Sequence, residues 1–172
     1  TPEAEPGKTK LERLCEDDDG NRDDQTGLFD RATLRPYSSL RVTQEPKSQK
    51  RNTYEAVYEP PKVHFSTTQG AKTNTATRDL PVPDAKSPDP SYHDEVSLLW
   101  LVRGVPLRSG YRGVYRHANA GTGNVFNVTV TVERQSRVRT PAGDFTAWEV
   151  RWETATVAQK AWVDAAAPHR VI

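Results

Sequence analysis

Apolar and polar residues alternate over a long stretch in the second half of the chain. Every second position from Phe126 to Val132 is apolar, through Val128 and Val130, and the positions between them are polar. Successive side chains of a β-strand point to opposite faces, so a period of two indicates one buried and one solvated face. The pattern predicts a half-buried antiparallel strand over residues 124–139.

A turn and a second alternating run follow this strand. Pro141 and Gly143 suit a tight reversal, after which Trp148, Val150 and Trp152 alternate with charged residues. The two runs predict a long hairpin with an apolar core face and a charged solvent face. Glu149 and Glu153 belong to that charged face and are expected to pair with arginines of the neighbouring strand.

Shorter runs rich in β-branched and aromatic residues predict six more strands, over residues 40–44, 53–59, 62–68, 110–117, 159–164 and 169–172. One segment breaks this pattern. Asp89 can cap a helix that starts with Pro90, and Gly104 can end it, so a helix is predicted over residues 92–103. These elements predict a mostly β (α+β) fold: a large curved antiparallel sheet or half-open barrel with one main helix near residues 90–103.

The length of 172 residues is that of one ordinary domain, so residues 1–172 are expected to form a single domain. Residues 1–29 contain an acidic run without apolar residues and are expected to be partly mobile. Residues 69–91 contain four prolines and are expected to form a surface connector. Val171 and Ile172 end an apolar run with no turn after it, which predicts that the chain stops within a strand.

Charge and hydropathy exclude several classes of protein. With 24 basic and 23 acidic side chains the net charge is +1, which makes nucleic acid an unlikely partner. No apolar run approaches the roughly 18 residues of a transmembrane helix, so no transmembrane segment is predicted. Cys15 is the single cysteine, and an internal disulfide is therefore excluded.

Motifs for catalysis or metal binding are not found in the sequence. The turn at Gly121 and Gly123 lacks the lysine of a phosphate-binding loop, and the four histidines lie on different predicted elements. The acidic run around Asp17 does not have the ligand spacing of a calcium loop, which favours a solvated loop. We therefore predict no catalytic residues, no metal site, no cofactor and no enzymatic activity.

Three segments of the sequence have motifs that resemble one family when taken together: LLWLVRGVPLRSGY at 98–111, TPAGDFTAWEV at 140–150 and AWVDAAAPHRVI at 161–172. Together they resemble a bacterial cell-envelope family of unknown function, whose members resemble the lipoprotein-localisation carriers and their half-open antiparallel barrel. The likeness is clearest from about residue 30 to the C-terminus. It implies an exported protein, periplasmic or elsewhere in the cell envelope, with a concavity for an apolar ligand.

Two functions follow as hypotheses. As a binding module, the protein would hold a lipid or other apolar molecule against its apolar face, formed by Trp100, Val128, Val130, Val132, Trp148, Val150, Trp152 and Trp162. As a structural or interaction module, the same residues would be closed core. An envelope protein partner would then bind an arginine-rich face formed by Arg134, Arg137, Arg139 and Arg151.

Overall fold

The computed structural model describes residues 5–82, 92–155 and 157–172, and most of these residues lie in β-strands. The first six strands are β1 (Lys8–Glu16), β2 (Arg22–Asp30), β3 (Pro36–Glu45), β4 (Lys50–Glu59), β5 (Lys62–Gln69) and β6 (Lys72–Asp79). Each strand pairs antiparallel with the next along the chain, which gives one six-stranded sheet in the order β1 to β6. A single 3-10 turn, Pro46–Ser48, connects β3 to β4.

Five further strands form a second sheet. They are β7 (Tyr92–Asp94), β8 (Arg112–Asn119), β9 (Asn124–Thr140), β10 (Gly143–Glu153) and β11 (Ala158–Asp164), in the order β11-β10-β9-β8-β7. β10 pairs antiparallel with both β9 and β11, whereas β7 and β8 are parallel. The α-helix α1 (Leu98–Gly104) lies between β7 and β8 in the chain.

The chain divides into two compact units, each with its own core. Unit 1 consists of Thr1–Ser97 and Arg116–Val125, and unit 2 of Leu98–Tyr115 and Phe126–Ile172. The apolar core of unit 1 contains Ala56, Tyr58, Val63, Phe65, Leu80, Tyr92, Ala118 and Ala120. The core of unit 2 contains Leu101, Val102, Val105, Val128, Val130, Val132, Val150, Trp152, Ala161 and Val163.

One face of the six-stranded sheet is buried and the other is open to solvent. Phe29, Ser39 and Ala56 point to the buried face, while their neighbours along the strands point to the open face. On the buried face the ring of Phe29 packs against Gly27, where an added Cβ would lie 2.5 Å from the ring. The register of these strands therefore decides which side chains remain accessible.

The predicted mostly β fold with one helix is confirmed for the described residues, although the strands form two sheets instead of one. Five of the six shorter predicted strands correspond to β3, β4, β5, β8 and β11. Residues 169–172 form only a bridge, between Val171 and Val163. Within the described ranges, no helix has the length and apolar character needed to cross a membrane. The single domain remains a prediction.

The helix is shorter than predicted, because its expected first turns are a strand and a turn. Residues 92–94 form β7, and α1 begins only at Leu98, although it ends at Gly104 as predicted. The Asp94 carboxylate accepts the Val96 N–H at 2.7 Å, which holds a turn before the helix. The proposed capping residue, Asp89, lies outside the described residues.

Two charged or polar segments are strands that the hydropathy pattern did not reveal. Residues 1–29, expected to be partly mobile, contain β1 and most of β2, and residues 69–91 contain β6. β1 and β2 are linked by ion pairs such as Arg13 with Asp23, so charged side chains stand where alternation requires apolar ones. The part of the predicted connector over residues 83–91 lies outside the described residues.

The predicted hairpin is confirmed, and it contains a β-bulge. Trp148 pairs with Gln135, but Val150 pairs with Val132, so β9 has one residue more than β10 between these two pairs. Glu149 lies opposite this irregularity and is only 7% exposed. The expectation that Glu149 is solvated is therefore wrong, because Arg134 of β9 and Lys160 of β11 bind its carboxylate.

Replacing Trp152 by alanine should lower the free energy of unfolding by about 3–5 kcal/mol, since the indole is buried in the core of unit 2 and its loss leaves a cavity. Arg151→Ala, one position away on the other face, should cost less than about 1 kcal/mol, because its pair with Glu153 is exposed. Denaturant unfolding of both variants measures the difference. Equal losses would show that the faces of β10 are assigned wrongly.

Candidate ligand-binding site

The apolar face that the sequence analysis gives to a ligand is the core of unit 2. Val128, Val130, Val132 and Val150 are almost completely buried. They form one cluster with each other and with α1, which contributes Leu101 among others. These four side chains are therefore packed against protein atoms and not against solvent.

The four tryptophans of that predicted face do not share one environment. Trp152 is buried in the core, whereas Trp100 and Trp148 are half-buried. Trp162 pairs with Glu149 across β10 and β11, which places it on the face opposite Trp152. It is 37% exposed there. Its assignment to the same face as the other tryptophans is wrong, because the β10–β11 register places it beside charged residues.

The predicted arginine-rich face is divided by the β-bulge. The Arg134 Nε donates to Glu149 Oε1 at 3.2 Å, which confirms the expected pairing across the hairpin. Arg137 and Arg139 both pair with Asp144, on the face that carries Trp148. Arg151 belongs with Glu149 on the other face. The four arginines thus lie on two faces, and the extra residue in β9 decides that Arg134, and not Arg137 or Arg139, shares the face of Glu149 and Arg151.

The open face of the six-stranded sheet carries a cleft, here called the leucine cleft. Its volume is about 460 Å³, which is within the usual range of small-molecule sites. Four neighbouring strands, β1 to β4, line it with Lys10, Thr26, Gly27, Leu28, Ser38, Ser39, Leu40, Glu55, Ala56 and Val57. Leu28, Leu40 and Val57 are its large apolar side chains.

The strand register brings these side chains together from distant parts of the sequence. Leu28 pairs with Ser38, and Ser38 pairs with Val57, so these three residues form one row across β2, β3 and β4. Leu40 lies in the adjacent row, opposite Glu55. Val57 is 45% exposed, an unusual environment for a large apolar residue at the centre of a sheet. The cleft therefore offers an accessible apolar surface with polar side chains at its rim.

The rim of the leucine cleft has little net positive charge. The Lys10 ammonium forms an ion pair with Glu12 at 2.7 Å, in which both side chains are exposed. Glu55 lines the cleft on β4 and is also exposed. The cationic group nearest the apolar residues is thus already compensated, and a carboxylate stands at the other side.

Behind the cleft, on the buried face of the sheet, a carboxylate is fully removed from solvent. Asp94 Oδ2 accepts hydrogen bonds from the Ser39 hydroxyl at 2.7 Å and from the Tyr58 hydroxyl. Burial raises the pKa of Asp94, while these donors and the Val96 N–H favour its charged form. Burial and the charge of Asp94 raise the pKa of Tyr58, which keeps the phenol protonated as a donor. The group fixes the chain after β7 to β3 and β4.

An ion-pair network continues from this group along the same face. The Arg41 guanidinium donates to both carboxylate oxygens of Asp23 at 2.9 Å and to Glu95 at 2.6 Å. Arg13 reaches Asp23 from β1 at 3.4 Å. A bidentate pair of this kind, in which one guanidinium binds both oxygens of a carboxylate, has a defined geometry. The network links β1, β2 and β3 to the residue that follows Asp94.

Two histidines meet on the buried side of unit 1. His93 of β7 and His117 of β8 are directly paired in the parallel register, and both are buried. Burial lowers the pKa of His93 and of His117 to about 4, so both imidazoles are neutral near pH 7. The sequence interpretation that each histidine is isolated is wrong for this pair. Among the described residues, no third metal-ligating side chain joins them.

The leucine cleft was missed in the sequence analysis because its residues come from strands with weak patterns. Leu28 lies in the segment that the acidic run predicts to be mobile, and the pattern of residues 40–44 and 53–59 does not indicate which face of the sheet their apolar side chains occupy. One signal was present: Leu40 and Val42 alternate with Ser39 and Arg41. Because the buried face of β3 contains small and charged residues such as Ser39 and Arg41, the pattern wrongly suggests that Leu40 and Val42 point to the core.

One family model, described as a protein of unknown function (DUF3108), matches residues 16–171. No curated protein and no solved structure matches the chain. The match begins nearer the N-terminus than the resemblance seen in the sequence, so it includes β2 and with it Leu28.

The buried histidine pair predicts a loss of stability in acid. An unfolded histidine takes up a proton near pH 6.5, whereas His93 and His117 resist protonation until about pH 4. The contribution of the two histidines to stability is therefore complete above pH 6.5 and falls as the pH drops towards 4, by about 3 kcal/mol for each imidazole. Denaturant unfolding of His117→Gln between pH 7 and 4 should show a shallower decline than the wild type.

His64→Gln is the matched control, because His64 is exposed on β5. It should reproduce the wild-type pH dependence. Identical slopes for His117→Gln and the wild type would contradict the role of the buried pair.

Proposed function

The chain belongs to this family of unknown function, and we propose from its geometry that the protein is a non-catalytic binding module. In this proposal the leucine cleft holds the apolar part of an amphiphilic molecule such as a lipid. The observation that supports the proposal is the accessible apolar surface of Leu28, Leu40 and Val57 on the open face of a sheet. Exposed apolar clefts with a polar rim are typical of ligand sites.

The location of the ligand differs from that expected in the sequence analysis. The valines of β9 are packed as the core of unit 2, so a ligand there would have to displace α1 or neighbouring side chains. The leucine cleft needs no such displacement, because its side chains already face solvent. The closed-core hypothesis thus suits unit 2, while the ligand-binding hypothesis suits unit 1.

Binding without chemistry fits the residues that line the cleft. Their reactive groups are the Lys10 ammonium, the Glu55 carboxylate and the hydroxyls of Thr26, Ser38 and Ser39. No histidine or cysteine is among these lining residues, and Ser39 points to the buried face, where its hydroxyl is engaged by Asp94. A nucleophile with an adjacent base is the minimum for covalent catalysis, and this lining does not suggest one.

A location in the bacterial cell envelope is part of the same proposal. It is supported by the resemblance of residues 98–111, 140–150 and 161–172 to an envelope family akin to the lipoprotein-localisation carriers. A protein that covers the apolar part of an amphiphile could carry it through the aqueous space between two membranes. The runner-up is an interaction module whose partner binds Arg137 and Arg139 at the exposed end of the β9–β10 hairpin.

Val57→Asp should weaken the binding of a fluorescent fatty acid at least about tenfold, because a carboxylate in the cleft loses hydration when the acyl chain enters. Val57 is exposed enough for the variant to fold. Titration of the purified protein, followed by fluorescence, measures the dissociation constant.

Val114→Asp makes the same change at an exposed valine of β8 and should leave binding unchanged. If the wild type does not bind the fatty acid at about 100 µM, a concentration typical of a weak ligand's dissociation constant, the proposal that the leucine cleft holds a fatty acyl chain is contradicted. The interaction module is then the favoured function.

Cells that express the natural reading frame should release the protein with the periplasmic fraction. An exported protein crosses the inner membrane, and osmotic shock separates it from cytosolic markers. Immunoblotting of the fractions provides the measurement. Recovery of the protein together with a cytosolic enzyme would contradict the envelope location while leaving the cleft proposal intact.

A further inference from the structure

We infer that the bound amphiphile carries an uncharged, hydroxyl-rich head group, such as a sugar, and that this head group lies on the open face of β5 and β6. This inference rests on the leucine cleft being the site of the apolar chain, as proposed above. It adds the class of ligand, which the apolar residues of the cleft alone do not specify.

Hydroxyl groups cover the sheet directly beside the cleft. Apart from Lys62 and Asp79, which form an ion pair at 2.8 Å at one end of the two strands, the residues of β5 and β6 that point to the open face are His64, Ser66, Thr68, Thr73, Thr75 and Thr77. Thr68 and Thr73 hydrogen-bond across the strands at 3.0 Å, and His64 and Thr77 at 3.1 Å. Between these two pairs, Ser66 lies opposite Thr75. We call this set the hydroxyl ladder.

The hydroxyl ladder continues the rows that form the cleft. Glu55 of the cleft pairs with Ser66, and Val57 pairs with His64. Neighbouring strands lie about 4.8 Å apart, so Thr75 stands roughly 10 Å from the β4 side of the cleft. A molecule with its chain over Leu40 can thus place one or two sugar rings on β5 and β6 without leaving the sheet surface.

The chemistry of the ladder favours a polyol. Each serine or threonine hydroxyl is both a donor and an acceptor, as is each sugar hydroxyl, so the two surfaces can exchange hydrogen bonds in either direction. Threonine methyl groups between the hydroxyls suit the less polar faces of a sugar ring. Phosphate, in contrast, is recognised in proteins by arginine, lysine and clustered backbone N–H groups.

Charge around the cleft also disfavours an anionic head group. On the ladder side, a phosphate would face the Glu55 carboxylate, and His64 lies 3.7 Å from Glu59. On the β1 side, it would have to compete with Glu12 for Lys10. Among the described residues that line the leucine cleft, the one cationic group, Lys10, is therefore already paired with a carboxylate.

Three single-chain amphiphiles that differ only in the head group test this inference. Dodecyl glucoside, dodecyl phosphate and dodecyltrimethylammonium are titrated below their micelle concentrations against the displacement of a fluorescent fatty acid. The wild type should bind the glucoside about five- to tenfold more tightly than either charged amphiphile.

Thr75→Val and Ser66→Ala remove one hydroxyl each with little change of shape. Each should weaken glucoside binding about three- to fivefold and leave fatty-acid binding unchanged. Thr131→Val, at a partly exposed threonine of β9, is the matched control and should change neither. Circular dichroism melts confirm that the variants are folded.

The outcomes separate the two proposals. Tighter binding of the phosphate or of the ammonium amphiphile, or equal binding of all three, overturns the polyol head group and leaves the cleft proposal standing. Fatty-acid binding without any effect of Thr75→Val or Ser66→Ala on the glucoside also overturns the head-group inference. Absence of binding by every amphiphile overturns the cleft and this inference together.

Discussion

The structure of unit 1 depends on a buried carboxylate that must be hydrogen-bonded. Moving a charged group out of water is costly unless donors replace the lost hydration, and Asp94 receives them from Ser39, Tyr58 and Val96. Ser39 and Tyr58 must therefore point to the buried face. Because side chains alternate along a strand, Ser38, Leu40 and Val57 must then point to the open face, where the leucine cleft lies.

The sequence predicts those strands in which the alternate apolar side chains are the buried ones. β9 and β10 were predicted because their valines and tryptophans form an apolar core in unit 2. β1, β2 and β6 were not predicted, because the first two are held together in part by Arg13, Asp23 and Arg41, and the third is an exposed edge strand. The hydropathy pattern reports only buried apolar residues, so it does not predict strands whose buried face contains ion pairs.

The candidate site depends even more on information that the sequence pattern does not contain. Leu28, Leu40 and Val57 come together only through the registers of three strand pairs, and those registers are set by turns and by the polar groups of the other face. The β-bulge at Glu149 is a second example. One additional residue in β9 places Arg137 and Arg139 on the face of Trp148 and Arg134 beside Glu149, which is the reverse of what counting alternate positions from Val132 gives.

Burial acts in opposite directions on neighbouring groups of unit 1. It raises the pKa of Asp94 and of Glu95, so their contributions to stability are complete below the unfolded pKa values and are lost as the pH rises through the folded ones. It lowers the pKa of His93 and His117, whose contributions are complete above pH 6.5 and are lost towards pH 4.

Near neutral pH the imidazoles are therefore in their favourable neutral form, whereas burial disfavours the charged form of Asp94. Among the described residues, the donors that favour its charged form are Ser39, Tyr58 and the Val96 N–H. Removing the Ser39 or Tyr58 hydroxyl would leave the buried carboxylate short of a hydrogen-bond donor, a defect more severe than the loss of an exposed hydrogen bond. The same two residues orient the strands that carry the leucine cleft, so the stability of the buried face and the accessibility of the open face are properties of one set of contacts.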